Sequence, residues 1–124
     1  MIKVTVIMPS LNVAPYIEEC ICSVENQTLS DIEILCIDAG STDGTLEILK
    51  KHAENDYRIR IINSSVKSYG YQINLGIREA KGEYIDIVET DDSVSLDMLE
   101  TLYSAADHEA DYVKSNFYRV SHIG

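Results

Sequence analysis

Short apolar runs alternate along the chain with stretches whose apolar residues recur every third or fourth position. Lys3 to Met8 (KVTVIM) is rich in β-branched residues and reads as a strand that stops at Pro9. From Pro15, a residue suited to a first helical turn, Ile17, Cys20, Ile21 and Val24 fall at i, i+3, i+4 and i+7 and predict one apolar helix face. Ile32 to Ile37 (IEILCI) is almost continuously apolar, as expected of a strand with helices on both faces. The turn Asp38-Ala39-Gly40-Ser41-Thr42-Asp43-Gly44 leads into a helix carrying Leu46, Leu49 and Ala53, with Ser41, Thr42 and Asp43 as candidate caps. Ile59 to Ile62 predicts a third strand. A polar loop, Asn63 to Tyr69, precedes a helix with Ile73, Ile77 and Ala80 on one face, and Gly82 is expected to end it as a left-handed cap. Tyr84 to Val88 is a fourth strand. Ser95 is the expected cap of a helix presenting Leu96, Leu99, Leu102, Tyr103 and Ala106, and Tyr112 to Tyr118 reads as a fifth strand.

Strands and helices that alternate over short connections imply an α/β fold, a doubly wound and mainly parallel sheet with helices on both faces. Such sheets bind ligands outside the carboxyl ends of their strands. Pro9-Ser10-Leu11-Asn12, Asp38 and Glu89-Thr90-Asp91-Asp92 all fall at carboxyl ends. Three polar segments distant in sequence are therefore expected on one rim.

The chain has 124 residues, 45% hydrophobic and 25% charged, the composition of one globular domain or a piece of one. Its 21 Asp and Glu against 10 Lys and Arg give a net charge of −11. That argues against a nucleic-acid binder, which needs a basic face, and disfavours adhesion to anionic membranes. A phosphorylated ligand is compatible with it if a divalent cation reverses the local potential. No apolar run approaches the ~20 residues of a transmembrane helix, and Pro9 and Ser10 interrupt the only stretch resembling a signal-peptide core. Cys20, Cys22 and Cys36 have no metal-type spacing and are expected as buried free thiols, so the expected location is the cytoplasm. His52, His108 and His122 show no partner pattern and read as surface residues.

The rim carries the candidate chemistry. Asp91 and Asp92 offer hard oxygen ligands suited to Mg²⁺ or Mn²⁺, and Mg²⁺ commonly takes only one or two carboxylates plus substrate phosphates. The bland alternative is a solvated acidic turn. Asp38 has an equally bland alternative as an Asx-turn, and Asn12 as a helix cap. Tyr69 and Tyr71 flank Gly70 in a polar loop, placed either to stack on a base or simply exposed. No G-x-G-x-x-G follows the first strand, and neither a Walker-A motif nor a G-x-S-x-G elbow is present.

Taken in order, VIMPSLNVAPYIEECICSVENQT, IEILCIDAGSTDGTLEIL and NLGIREAKGEYIDIVETDD resemble the N-terminal, nucleotide-sugar-binding half of family 2 glycosyltransferases, of the GT-A fold. The resemblance spans residues 3–100. It implies transfer of a sugar, with inversion, from a nucleoside-diphosphate sugar to a hydroxyl of a glycan or lipid-linked acceptor in polysaccharide or cell-surface glycan synthesis. It implies that Pro9, Ser10, Leu11 and Asn12 line a nucleoside pocket and that the turn of Asp38, Ala39, Gly40 and Ser41 contacts the base. Lys67 to Asn74 would approach the nucleotide. Glu89-Thr90-Asp91-Asp92 matches the D-x-D element, with Asp91 as principal ligand to Mn²⁺ or Mg²⁺ and Asp92 or Glu89 assisting. The family's catalytic base lies in a later segment, so it is expected beyond Gly124, and residues 1–124 are expected to form a single donor domain cut short of the acceptor half.

Four positions depart from the family pattern. Ala39 stands where a second acidic residue usually contacts the base, and Leu11 where a tyrosine is common. Glu89 replaces the usual Asp, and Ile73 an Arg whose charge Lys67 is the candidate to supply. The resemblance leaves the sugar, the nucleobase and the oligomeric state open. Two other classes are to be weighed: a non-catalytic nucleotide- or metal-binding domain, and a receiver-like signalling domain. The latter needs an Asp at the end of its third strand, where this chain has Ile61-Ile62-Asn63.

Overall fold

The computed structural model describes residues 1–106 and the backbone of 112–114 and 117–119; His108 and His122 lie outside the described residues. Strands β1 (Val4–Ser10), β2 (Ile32–Asp38), β3 (Ile59–Asn63) and β4 (Tyr84–Ile87) run parallel. The stretch expected as a single fifth strand is two, β5 (Tyr112–Lys114) and β6 (Phe117–Arg119), which pair antiparallel with each other. Two segments that pair antiparallel with each other are not one strand. β6 is antiparallel to β4, and the sheet order is β3-β2-β1-β4-β6-β5. The chain steps outward from β1 to β3 and then crosses to β4 on the other side of β1. The order therefore reverses between β1 and β4, the place where such sheets open a crevice.

Helices α1 (Ala14–Glu25), α2 (Thr45–Asn55), α3 (Tyr69–Glu79) and α4 (Met98–Ala105) connect these strands. Alternate residues of β1 serve opposite faces. Val4, Val6 and Met8 join Ile17, Cys20, Ile21 and Val24 of α1, Leu49 of α2 and Leu99 of α4 in one core. Ile7 packs on the other face with Leu35, Ile37 and Ile85, covered by Ile73, Leu75 and Ala80 at α3. Cys20 and Cys36 are buried as expected, whereas Cys22 is half-buried; all three are free thiols.

Pro9 does not stop β1. The ladder with β2 continues through Pro9 and Ser10, opposite Ile37 and Asp38. The carbonyl of Ile7 accepts from Val88 N on the β4 side. Pro9, two residues on, faces the same way, but the β1–β4 ladder has ended at Ile87. Its missing N–H therefore costs no ladder bond, and its carbonyl accepts from Thr90 Oγ1 at 2.9 Å.

Helix ends also differ from expectation. The N-cap of α2 is Gly44, at φ 101°, and the cap bond comes from outside the helix: Asp43 Oδ1 accepts from Thr45 N and Thr45 Oγ1. Ser41 and Thr42 serve elsewhere. Ser95 does not cap α4 with its side chain. Its carbonyl accepts from Met98 N, and Gln27 at the end of α1 caps the helix from across the molecule, accepting from Leu99 N at 3.0 Å. Leu96, ahead of the helix, is exposed. On α3 the buried residues are Gln72 and Gly76, while Ile77 is exposed. Gly76 seats the helix so close to Ile7 that a Cβ would meet that side chain at 2.8 Å, which turns Ile77 outward.

Gly82 is not a left-handed cap; among the described glycines only Gly40 and Gly44 have positive φ. It is needed for a close approach. Its N–H donates to Thr5 Oγ1, and a Cβ would lie 2.6 Å from Thr5 N. Backbone cannot rotate away as a side chain can, so Gly82→Ala should cost about 1–3 kcal/mol, seen as a lower urea midpoint at unchanged m-value.

His52 is not a bare surface residue. It is half-buried between α1 and α2, with Nδ1 2.6 Å from Glu25 Oε1 and Nε2 in contact with Glu18 Oε2. Burial pulls its pKa down, but the two carboxylates outweigh burial and raise it above the ordinary histidine value.

Candidate functional site

The polar segments expected on one rim meet there, and hydrogen bonds across the chain hold them. Asp38 ends β2 fully buried. Its Oδ2 accepts from Gly40 N at 3.1 Å and Ser41 N at 2.9 Å, and its Oδ1 from Ser41 Oγ at 2.6 Å and Ser10 Oγ at 3.2 Å. The carboxylate is thus occupied in shaping the turn and joining it to β1. Asp38→Asn would aim an amide N–H₂ at some of these donors and should cost about 2 kcal/mol, read from thermal unfolding.

Asn12 is a link and not a helix cap. It takes a left-handed φ of 52°, its N–H donates to Ser41 Oγ at 2.9 Å, and its Oδ1 accepts from Thr42 N at 2.8 Å. Val13 N donates to Thr45 Oγ1, and Ala14 N to Asp43 Oδ2. Together these bonds clamp the β1–α1 loop to the β2–α2 loop. The hydroxyl of Thr45, then the amides of Ala14 and Thr45, hold Asp43 below the usual carboxylate range.

Lys67 overhangs the β2 turn. A Cβ on Gly40 would lie 3.8 Å from Lys67 Cε, so the open side of this glycine faces the cation. Gln72 of α3 donates through Nε2 to Ser10 O at 3.1 Å and Ile37 O at 2.8 Å, fixing α3 to the ends of β1 and β2. Leu11 and Asn74 are exposed, whereas Pro9, Ser10 and Ala39 are buried, Ala39 to 1%.

The acidic segment forms a turn at the β1–β4 crevice, closed by Asp92 N donating to Glu89 O at 3.1 Å. Buried Thr90 fastens it to Pro9 through the bond given above. Tyr69 donates to Glu89 Oε1 at 2.5 Å, so this ring reaches the acidic turn, and Cys20 Sγ donates to Glu89 O at 3.6 Å. Asp91 and Asp92 are exposed, and neither forms an ion pair among the described residues. Burial pushes the Cys20 thiol up to about 12, with Asp92 and Asp91 adding their repulsion. A concentrated negative field and two uncompensated hard oxygen donors fit a divalent cation.

Sequence reasoning missed Ser41 and Thr42 as links to Asn12, Gln72 as an anchor, and Cys20 beneath the acidic turn. Only Gln72 left a trace, as a polar residue among the apolar positions of its helix.

Comparison with known proteins adds to this geometry. Residues 5–123 match the model of glycosyl transferase family 2. The chain belongs to that family. It is 42% identical over 119 residues to the uncharacterized glycosyltransferase EpsJ of Bacillus subtilis, covering 95% of this chain and 35% of EpsJ. Among solved structures it resembles residues 1–349 of S. aureus TarS in complex with UDP, with a TM-score of 0.76 and 27% identity over 82% of this chain and 31% of that fragment. It also resembles the mannosyltransferase PcManGT of Pyrobaculum calidifontis with GDP-Man and Mn²⁺, with a TM-score of 0.67 and 30% identity over 72% of this chain and 27% of that one. The chain spans about a third of the length of EpsJ. Among its described residues no helix is long and apolar enough to cross a membrane.

Proposed function

We propose that residues 1–124 form the donor-binding part of an inverting glycosyltransferase that takes a sugar from a nucleoside-diphosphate sugar. The observation that carries this reading is the Glu89–Asp92 turn, hung on Pro9 at the crevice where the strand order reverses. The turn from Ala39 to Ser41 and the segment from Pro9 to Asn12 would form the nucleoside pocket, with Asp38 as its buried frame and no direct ligand. Lys67, over Gly40, would meet negative charge on the nucleotide, and Asn74 lies further along α3. The ribose and diphosphate would sit against Glu89, Thr90 and Asp91.

Asp91 and Asp92 are the residues to hold the metal, Mn²⁺ or Mg²⁺, which when bound stabilises the charge that develops on the departing diphosphate. Thr90 and Tyr69 hold the turn that presents these carboxylates. A base must also take the acceptor's proton. We place it, with the acceptor site, in the part of the relatives that this chain does not span. Glycan or lipid-linked acceptors, as in polysaccharide or cell-surface glycan assembly, fit this reading. Three free thiols fit a cytoplasmic location.

Calorimetric titration with UDP and with GDP, each with Mn²⁺ and again with EDTA, tests the proposal. Binding of one nucleotide that EDTA abolishes is expected and names the base. The methyl of Ala39 offers a base no hydrogen bond, so both nucleotides belong in the experiment. No metal-dependent binding of either would overturn the assignment in favour of a non-catalytic domain.

A further inference from the structure

A second cluster of ligand-type atoms lies away from the rim, on the outer side of α1 and α2. Glu18 and Cys22 are four residues apart on α1 and so share a face, and His52 meets them from α2. Glu18 Oε2, Cys22 Sγ and His52 Nε2 lie within 4.8 Å of one another. Cys22 Sγ stands 3.5 Å from Glu18 Oε2. Tetrahedral zinc, with bonds of about 2.0–2.3 Å, places its ligand atoms roughly 3.3–3.6 Å apart.

A second observation points the same way. His52 Nδ1 is held by Glu25 Oε1 at 2.6 Å, while Nε2 faces the cluster. A carboxylate on the far ring nitrogen is the usual support of a metal-bound histidine, since it sets the tautomer and raises the basicity of the ligating nitrogen. Without an ion, a carboxylate at each ring nitrogen favours the imidazolium. Sulfur, nitrogen and oxygen donors together suit a borderline metal, unlike the all-oxygen rim.

We propose that Glu18, Cys22 and His52 form a Zn²⁺ site that clasps α1 to α2, with Glu25 as the outer support of His52 and solvent completing the coordination. Zinc takes the place of the contact between His52 Nε2 and Glu18 Oε2, and the exposed Glu18 carboxylate swings out to admit it. The thiol of Cys22 must give up its proton to ligate the metal, so affinity rises with pH. Lys51, which lines the same shallow pocket, opposes the ion with one positive charge, against two carboxylates and the thiolate.

The test is titration of the reduced, metal-free chain with Co²⁺ and then Zn²⁺. One Co²⁺ per chain should give a thiolate-to-cobalt charge-transfer band that Zn²⁺ abolishes. Cys22→Ser should lose the band, and Glu25→Gln should weaken Zn²⁺ binding about tenfold. Glu18→Gln, at an exposed position, checks the site without disturbing the core and should also weaken binding. Asp91→Asn should leave the band unchanged, because Cys20, the thiol beneath the acidic turn, is fully buried and donates to Glu89 O. No band in the parent chain, or a band that survives Cys22→Ser, overturns the proposal.

Discussion

Asp91→Asn is expected to lower metal-dependent nucleotide affinity by roughly 100-fold or more, because even outer-shell partners of a metal cost about 10–100-fold. An amide keeps the shape of the side chain but removes the charge that a hard cation needs. Asp91 is exposed at the tip of its turn, so the unfolding transition should not move. Asp92→Asn should cost less if Asp91 is the principal ligand. Calorimetry with Mn²⁺ and the nucleotide that binds measures both. Unchanged metal-dependent affinity in Asp91→Asn would remove Asp91 from the metal site.

Asp86→Asn is expected to stabilise the chain, and only toward neutral and alkaline pH. Asp86 lies in β4 opposite Val6, on the sheet face covered by α1, α2 and α4, and its Oδ2 has no hydrogen-bond partner among the described residues. Burial alone pushes its pKa up to about 7, from an ordinary value of 3.8. Such a group stays protonated in the fold at pH values where the unfolded chain has released the proton. Stability therefore falls as pH rises from about 4 to about 7 and stays lower above that, by roughly 4 kcal/mol at most. The amide never ionises, so the gain of Asp86→Asn should approach that figure at pH 8 and vanish near pH 4. Urea melts of both proteins across this range measure it. A gain independent of pH would mean that unfolding does not release a proton from Asp86 as argued.

What was legible in the sequence was what local pattern controls. The spacing of Ile17, Cys20, Ile21 and Val24 fixes which face of α1 is buried, and the apolar run at Ile32–Ile37 marks a strand covered on both sides. The rim followed from the order of elements, because parallel strands bring their carboxyl ends together. The misreadings depend on distant neighbours. Whether Pro9 ends a strand depends on where β4 stops. The role of Gly82 depends on the backbone of Thr5, and the cap of α4 on Gln27. The two carboxylates around His52 come from another helix. Of the site, the acidic turn was visible as a charge cluster, whereas the occupation of Asp38 by its own turn was only one of two open alternatives.

The cross-links of the rim join residues far apart in the chain: 29 positions separate Asn12 from Ser41, and 81 separate Thr90 from Pro9. Contacts of such long span form only after much of the chain has been brought together. They should be absent from the folding transition state, so weakening them, as in Thr90→Val, should speed unfolding and leave the refolding rate nearly unchanged. The pocket would then be the last part of the domain to assemble and the first to come apart. On the proposed function, nucleotide and metal would bridge those same loops and act chiefly as a brake on unfolding.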